Sequence, residues 1–279
     1  MLPLPLCPFG ELIDCSPPGG SLCTGLTPGD VVVDVGLNTG SHFTLCSPEQ
    51  VKGVGIVAFE PLPSLCRKAK RNARRWVKTL GLAFFDVRCK AISDRRGTAT
   101  IYVPQNLTAA ASLVSAKAAG LLGDAVVPLN VSMTTLDEAL AGGRYYMNRV
   151  RALKTDTQGH EAAVLRGARR LLFGGGVRKL QAELDPELLE QGGSSAKELL
   201  ALARHAGFNC GYERRAFECA ALPGTAGARR CWNDLYCTRS RRDFCERSWL
   251  APFRTNAVWP MVPRSCAPLD LAPFHVAPK

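Results

Sequence analysis

The sequence predicts an α/β protein with a doubly wound, mostly parallel sheet that carries helices on both faces. Short apolar runs of the kind that form strands buried on both faces recur between residues 30 and 240, and they alternate with stretches of helical periodicity. The 279 residues allow one large domain or two small ones, with enough length for a substantial core. Hydrophobic residues at 46% and charged residues at 21% are ordinary globular proportions, which excludes a disordered chain.

The predicted elements follow one another in regular order. The first two strands, Val31–Val35 and Val54–Phe59, are continuous apolar runs. Between Ser64 and Leu80 the apolar residues fall largely on one helical stripe, which predicts an amphipathic helix. Further strands are expected at Ala83–Ile92, Gly97–Val103, Val126–Met133, Val150–Thr155, Lys179–Leu184, Phe208–Glu213 and Trp232–Thr238. Further helices are expected at Glu161–Phe173 and Ser195–Ala206.

The two ends of the chain differ from this patterned region. Residues 1–29 and 241–279 are rich in proline, so we expect an irregular N-terminal segment and a Pro-rich C-terminal tail around a domain at 30–240. No cationic stretch precedes the first apolar residues, and no signal peptide is legible. No apolar run approaches the roughly 18 residues that cross a bilayer. The protein is therefore expected to be soluble, with a cytoplasmic location favoured and an oxidising lumen left open.

The basic charge is local. The chain carries 35 basic and 24 acidic residues, a net charge of +11. Seven of the basic residues lie on the helix before Leu80, with no acid among them: Arg67, Lys68, Lys70, Arg71, Arg74, Arg75 and Lys78. This face is either a solvated outer surface or a footprint for nucleic acid.

The twelve cysteines lie mostly towards the two ends of the chain. They never form a Cys-x-x-Cys pair, which argues against a closed zinc site. If they form disulfides, we expect these to tie down the irregular ends, and an oxidising compartment would follow. The glycosylation sequons at Asn106 and Asn130 are consistent with such a compartment.

The loop after the first strand is the first candidate binding site, because open α/β sheets bind ligands at the carboxyl ends of their strands. Its spacing, Asp-x-Gly-x-x-x-Gly, matches neither the dinucleotide fingerprint nor a phosphate loop. An acid there favours a ligand with a positive charge or several donors, and glycines let the backbone approach it closely. The expected contacts are Asp34, Gly36, Asn38, Thr39 and Gly40. The alternative is a tight strand-to-helix turn with a surface acid.

The second candidate binding site is the tip of the second strand, Phe59-Glu60-Pro61. A carboxylate there can accept both hydroxyls of a ribose. Adenosine with a cationic tail is S-adenosylmethionine, so we expect Glu60 and Pro61 to bind this cofactor. Ser93 and Asp94, at the end of the third strand, are expected at the edge of the adenine pocket. A hairpin turn without a ligand is the alternative for these two residues.

Several motifs in this order resemble those of FkbM-type methyltransferases: Val33-Asp-Val-Gly-Leu-Asn-Thr-Gly40, Phe59-Glu-Pro61, Ala91-Ile-Ser-Asp-Arg-Arg-Gly97, Met133-Thr-Thr-Leu-Asp137, and Leu153-Lys-Thr-Asp-Thr-Gln-Gly-His-Glu161 followed by Val164-Leu-Arg-Gly-Ala168. The resemblance implies a class I methyltransferase fold, with a seven-stranded, mostly parallel sheet whose last strand is antiparallel. It also implies methyl transfer from S-adenosylmethionine, typically to a hydroxyl oxygen of a sugar, polyketide or similar metabolite. The family commonly has Lys-x-Asp-x-Glu-Gly where this chain has Gln158, and the effect of that change is left open.

Methyl transfer to a hydroxyl is an in-line displacement that requires a positioned acceptor and a group that takes its proton. Asp156 is the first candidate, as base, as orienting acceptor or as ligand of a divalent cation; the alternative is that it caps the next helix. Lys154 shares its face and is expected to pair with it. His160 is the second candidate base, against the alternative of a solvated surface histidine.

The sequence therefore predicts an S-adenosylmethionine-dependent O-methyltransferase with a small-molecule or glycan acceptor. No set of metal ligands is predicted, although a divalent cation stays possible. Two alternatives remain: a nucleic-acid methyltransferase, suggested by the basic helix, and a noncatalytic relative that binds the cofactor or a glycan, suggested by Gln158. The acceptor and the oligomeric state are open.

Overall fold

The structure is a computed structural model. It describes residues 22–40, 46–105, 110–115, 125–141, 147, 149–174, 176–212, 218–221 and 229–239. The predicted C-terminal tail, most of the predicted N-terminal segment and the sequon at Asn106 lie outside these residues. No helix in the described ranges is long and apolar enough to cross a membrane.

The strands and helices alternate along the chain as the periodicity predicted. The strands are β1 (Val31–Val35), β2 (Gly55–Phe59), β3 (Phe84–Arg88), β4 (Ala91–Ile92), β5 (Gly97–Pro104), β6 (Val126–Thr134), β7 (Val150–Thr155), β8 (Lys179–Leu184), β9 (Asn209–Tyr212), β10 (Glu218–Ala221) and β11 (Arg229–Thr238). The helices are α1 (Pro48–Val51), α2 (Pro63–Leu80), α3 (Leu136–Ala139), α4 (Glu161–Arg166), α5 (Arg169–Phe173), α6 (Pro186–Gln191) and α7 (Ala196–His205).

The main sheet has the strand order β10-β11-β8-β7-β1-β2-β3, and β9 also pairs with β11. Strands β3, β2, β1, β7 and β8 are parallel neighbours, whereas β11 runs antiparallel to β8. The predicted mostly parallel sheet with an antiparallel last strand is thus confirmed, and β10 extends it. Because β1, β2 and β7 are parallel neighbours, their carboxyl ends meet at one edge of the sheet.

Two predicted elements are divided in the structure. The expected strand Ala83–Ile92 separates into β3 in the main sheet and β4, which pairs with β6 in a three-stranded sheet of order β4-β6-β5. The expected helix Glu161–Phe173 separates into α4 and α5 around Gly167. Gly167 packs closely on the backbone of Ser93: a Cβ at position 167 would lie 1.9 Å from the Ser93 carbonyl oxygen. Both breaks result from tertiary packing, which apolar periodicity does not reveal.

The core has two layers, one on each face of the sheet. On one face, Val33 and Leu153 pack in a cluster with side chains of α4, α5 and α7. On the other face, Val32 and Ile56 pack with side chains of α2. Successive side chains of a strand point to opposite faces, so a strand covered on both sides must be apolar throughout, as β1 and β2 nearly are. The doubly wound architecture follows from this pattern.

Three disulfides lie among the described residues: Cys23–Cys46, Cys66–Cys89 and Cys210–Cys237. The first ties the N-terminal segment to the domain, as expected for an irregular end. Cys66–Cys89 instead joins α2 to the chain after β3, within the body of the domain, and the sequence did not predict it. Cys210–Cys237 joins paired strands, because these two residues are register partners in β9 and β11.

Candidate active site

A pocket with about 600 Å³ of open space lies at the carboxyl ends of β1, β2 and β7. One side of its lining is apolar, from Leu62, Leu65, Ile92, Ile101 and Leu113. Its polar lining includes Asn38, Glu60, Asp156 and Gln158. Of the predicted site residues, the pocket brings together Gly36, Asn38, Glu60, Pro61 and Asp156.

Gly36 allows the loops after β1 and β7 to touch. Its N–H donates to the carbonyl of Phe59 at 3.0 Å, and its φ of 85° is in the left-handed region that favours glycine. A Cβ at this position would lie 1.9 Å from the carbonyl oxygen of Asp156. Gly36 therefore brings the loop of the expected cofactor site against the loop of the expected catalytic residue.

Two further residues of the β1 loop do not line the pocket. Thr39 is exposed. Gly40 has a φ of 80°, and a Cβ there would lie 2.6 Å from the Trp76 ring. The glycine at position 40 is thus explained by its packing against α2 rather than by a ligand.

Glu60 is held in place by two backbone groups. Its Oε2 accepts a hydrogen bond from the Asn38 N–H at 2.7 Å, and its Oε1 accepts one from the Leu62 N–H at 2.9 Å. The residue is 4% exposed, and burial raises the pKa of its carboxyl. An ionised carboxylate offers about four acceptor positions, so each oxygen can accept a further hydrogen bond. Glu60 is therefore a rigidly held carboxylate that can accept two further hydrogen bonds.

Asp34 lies beneath the β1 loop rather than in the pocket lining. It is fully buried, and Lys154 Nζ lies 3.2 Å from its Oδ1. We expected Asp34 to contact a ligand directly, but in the structure its carboxylate pairs with the Lys154 ammonium instead. Among the described residues, no group donates a hydrogen bond to Asp34 Oδ2.

Lys154 joins the ends of β1 and β7. Its Nζ donates to the Gly36 carbonyl at 2.9 Å and lies 3.6 Å from Asp156 Oδ2, which confirms the predicted pair. Burial lowers the pKa of the Lys154 ammonium, but Asp34 and Asp156 raise it by more, so the net shift is upward. The lysine stays charged and holds Asp156 at the pocket wall. The sequence predicted one of its carboxylate partners and missed Asp34, which is its register partner across β1 and β7.

Gln158 supplies the second contact to Asp156. Its Nε2 donates to Asp156 Oδ1 at 3.1 Å and to Glu183 Oε2 at 2.7 Å. Carboxylates only accept, so a glutamate at position 158, as in the family motif, could not make these two bonds while ionised. The Gln158 amide therefore bridges the carboxylates of Asp156 and Glu183, whereas a glutamate would place a third carboxylate beside them. Glu183, on β8, was missed because no motif surrounds it.

The alternative for Asp156, that it caps the next helix, is not what the structure shows. Helix α4 begins at Glu161, and its N-cap position is His160. Glu161 itself accepts a hydrogen bond from the Thr157 N–H at 2.7 Å, so it holds the turn before the helix. Asp156 keeps its side chain 37% exposed at the pocket.

Ser93, Asp94 and His160 form a separate cluster that does not line the pocket. His160 Nε2 lies 2.9 Å from Ser93 Oγ, and Arg166 Nε donates to Asp94 Oδ2 at 3.1 Å. His160 is therefore neither a solvated histidine nor a wall of the pocket. Burial lowers the pKa of His160 to about 4, which keeps the ring neutral at physiological pH.

This lowered pKa predicts a pH dependence of stability. Below the ordinary histidine pKa of about 6.5 the unfolded chain binds a proton that folded His160 does not, so stability falls as the pH drops from about 6.5 towards 4. The contribution is at most about 1.4 kcal/mol per pH unit. We expect His160→Gln to remove it, as measured by urea unfolding across this range. An identical slope in variant and wild type would contradict the assignment.

The fold and the site together define the class. A sheet in this strand order, with a pocket at the carboxyl ends of β1 and β2 and an acid at the tip of β2, is the architecture of class I S-adenosylmethionine-dependent methyltransferases. The family model described as the methyltransferase FkbM domain matches residues 34–212. The chain belongs to this family.

Comparison with solved structures gives distant similarities. The methyltransferase FkbM from Methylobacillus flagellatus is 16% identical with a TM-score of 0.44, and the match covers 76% of this chain and 44% of that chain. An S-adenosylmethionine-dependent O-methyltransferase from Thermotoga maritima is 11% identical with a TM-score of 0.42, covering 78% and 62%. This chain thus spans less than two thirds of either protein. Comparison with curated proteins finds no match.

Proposed function

We propose that the protein transfers a methyl group from S-adenosylmethionine to a hydroxyl oxygen of a sugar, glycan or other small metabolite. One observation carries the proposal: a single pocket is lined both by Glu60, at the tip of β2, and by Asp156, just after β7. Glu60 is a rigid acceptor suited to a ribose, and Asp156 is a partly exposed carboxylate suited to a reacting hydroxyl. These are the two functions that methyl transfer to oxygen requires of a protein.

The residues of the pocket fit S-adenosylmethionine. Glu60 would accept the ribose hydroxyls, the apolar side chains of Leu62, Leu65 and Ile101 would cover the adenine, and Gly36 leaves room for close backbone approach. When bound, the cofactor supplies an electrophilic methyl group on a sulfonium.

Asp156 would orient the acceptor hydroxyl and take its proton at a carboxylate oxygen. Lys154 lies at Oδ2 and Gln158 donates to Oδ1, so the carboxylate is held from two sides and its orientation is set before the acceptor arrives. Such preorganisation lowers the entropic cost of reaching the reactive geometry. His160 stays a prediction as a second base, although the pocket lining does not include it.

The polar groups near Asp156 favour a polyhydroxylated acceptor. Glu183 lies at the carboxyl end of β8, and its register partner in β11 is Asp234. Asp156 directly follows β7, so these three acids belong to three neighbouring strands of the sheet. Carboxylates accept hydrogen bonds from hydroxyls while they repel anionic groups. A neutral sugar fits this surface better than a phosphorylated molecule does.

The same acids disfavour the nucleic-acid alternative at this site. The seven basic residues of α2 are exposed, as expected for a solvated face. None of them lines the pocket. The noncatalytic alternative depends on Gln158, yet this residue holds the candidate base in place.

Calorimetric titration with S-adenosylmethionine tests the cofactor site. Glu60→Gln replaces the charged acceptor with a neutral amide, so the hydrogen bonds to the ribose weaken, and we expect the dissociation constant to rise on the order of tenfold or more. Glu49→Gln, a change at an exposed position of α1, is the matched control and should bind as the wild type does. Failure of the wild type to bind would refute the proposed function, and equal affinity of Glu60→Gln would remove Glu60 from the cofactor site.

A further inference from the structure

The sequon Asn130-Val131-Ser132 lies in β6, in the three-stranded sheet, with its two reactive positions at the surface. Asn130 and Ser132 are exposed, whereas Val131 between them is 6% exposed and packs in a cluster with Leu62 and Ile101. Alternation along a strand places residues i and i+2 on one face. N-glycosylation requires the amide of Asn130 and the hydroxyl of Ser132, and both therefore face solvent. The opposite face of the three-stranded sheet packs against the rest of the domain.

The disulfides indicate the compartment in which such a sequon would be modified. Three disulfides lie among the described residues, and one of them, Cys66–Cys89, is inside the domain with Cys66 fully buried. Structural disulfides form and persist in oxidising compartments such as the lumen of the secretory pathway, and are rare where thiols are kept reduced. The disulfides are independent of the sequon, and both features indicate an oxidising compartment.

We propose that the chain matures in an oxidising lumen and carries an N-linked oligosaccharide on Asn130. In this step a bond forms between Asn130 Nδ2 and C1 of the oligosaccharide, the bond from C1 to the pyrophosphate of a lipid carrier breaks, and the amide nitrogen loses one proton. The lipid pyrophosphate is the leaving group. The other amide atom, Oδ1, accepts a hydrogen bond from Thr100 Oγ1 at 3.1 Å, which orients the side chain on the outer face.

The position of Asn130 keeps the oligosaccharide clear of the pocket. Two inward neighbours on β6, Val131 and Met133, pack in the same cluster as Leu62 and Ile101, which line the pocket. Asn130 points the other way, so the sugar extends from the outer surface of the small sheet. The modification is therefore compatible with cofactor binding, and it depends on no part of the proposed methyl transfer.

The test uses the full chain purified from the cells that make it. Treatment with peptide-N-glycosidase in ¹⁸O water converts a glycosylated asparagine to ¹⁸O-labelled aspartate, and we expect this label at position 130. Asn130→Gln removes the acceptor asparagine and Ser132→Ala removes the hydroxyl of the sequon, so each variant should lose the label. Thr100→Ala, which contacts Asn130 from outside the sequon, should keep it.

Two results would overturn the proposal. The first is unlabelled Asn130, including the case in which the only labelled residue is Asn106. The second is alkylation of Cys66 and Cys89 in the purified protein after denaturation without reductant, because free thiols there are incompatible with maturation in an oxidising lumen. Unchanged S-adenosylmethionine affinity in Asn130→Gln is expected in either case, so this test and that of the proposed function are read separately.

Discussion

Asp156→Asn is expected to lower the rate of methyl transfer by about 10²- to 10⁴-fold, the usual contribution of a general base. Asparagine keeps the shape of the side chain but does not take a proton from the acceptor hydroxyl. The affinity for S-adenosylmethionine should stay close to that of the wild type, because Glu60 and the apolar wall are unchanged. Formation of S-adenosylhomocysteine with a panel of neutral sugars measures the rate, and calorimetry measures the affinity.

Glu190→Gln is the matched control for this experiment. It makes the same kind of change at an exposed position of α6, outside the pocket lining, and activity should be retained. Glu183→Gln is informative in addition, since Gln158 donates to Glu183 as well as to Asp156. A fully active Asp156→Asn variant would remove Asp156 from the mechanism, whereas loss of cofactor affinity in that variant would assign it a structural role instead.

Lys154→Met is expected to destabilise the fold by about 3–5 kcal/mol, the cost of removing one partner from a buried ion pair. The methionine fills most of the volume, but it leaves Asp34 fully buried without its cation. The Gly36 carbonyl loses its donor as well. Urea unfolding at neutral pH measures the change in the free energy of unfolding.

A double-mutant cycle separates the lost charge pair from lost packing. Asp34→Asn removes the charge that Lys154→Met leaves unpaired, so the double variant should lose less stability than the two single variants together. Lys52→Met, at an exposed position, is the matched control for the lysine change and should cost little. Strict additivity of the two buried changes would contradict the pairing as the source of the stability.

The sequence predicted the main architecture because its signals are local. Continuous apolar runs predicted β1 and β2, and the amphipathic stripe predicted α2 to within one residue at its start. Glu60 and Asp156 were predicted at the site because each lies at or beside the tip of a strand, and the carboxyl ends of parallel strands share one edge. Local signals also failed in a specific way: the apolar stretch at 83–92 reads as one strand, although its two halves pair in different sheets.

By itself, then, the sequence determined the fold class, the family and the two carboxylates, Glu60 and Asp156, that line the pocket. Only the tertiary structure decided the further partners of the two residues that hold Asp156: Lys154 also pairs with Asp34, and Gln158 also donates to Glu183. It also decided that Ser93, Asp94 and His160 belong to a separate cluster. The physical reason is that apolar periodicity specifies which face of an element is buried, whereas the partner of a polar side chain depends on strand order and register, which arise from packing of the whole chain.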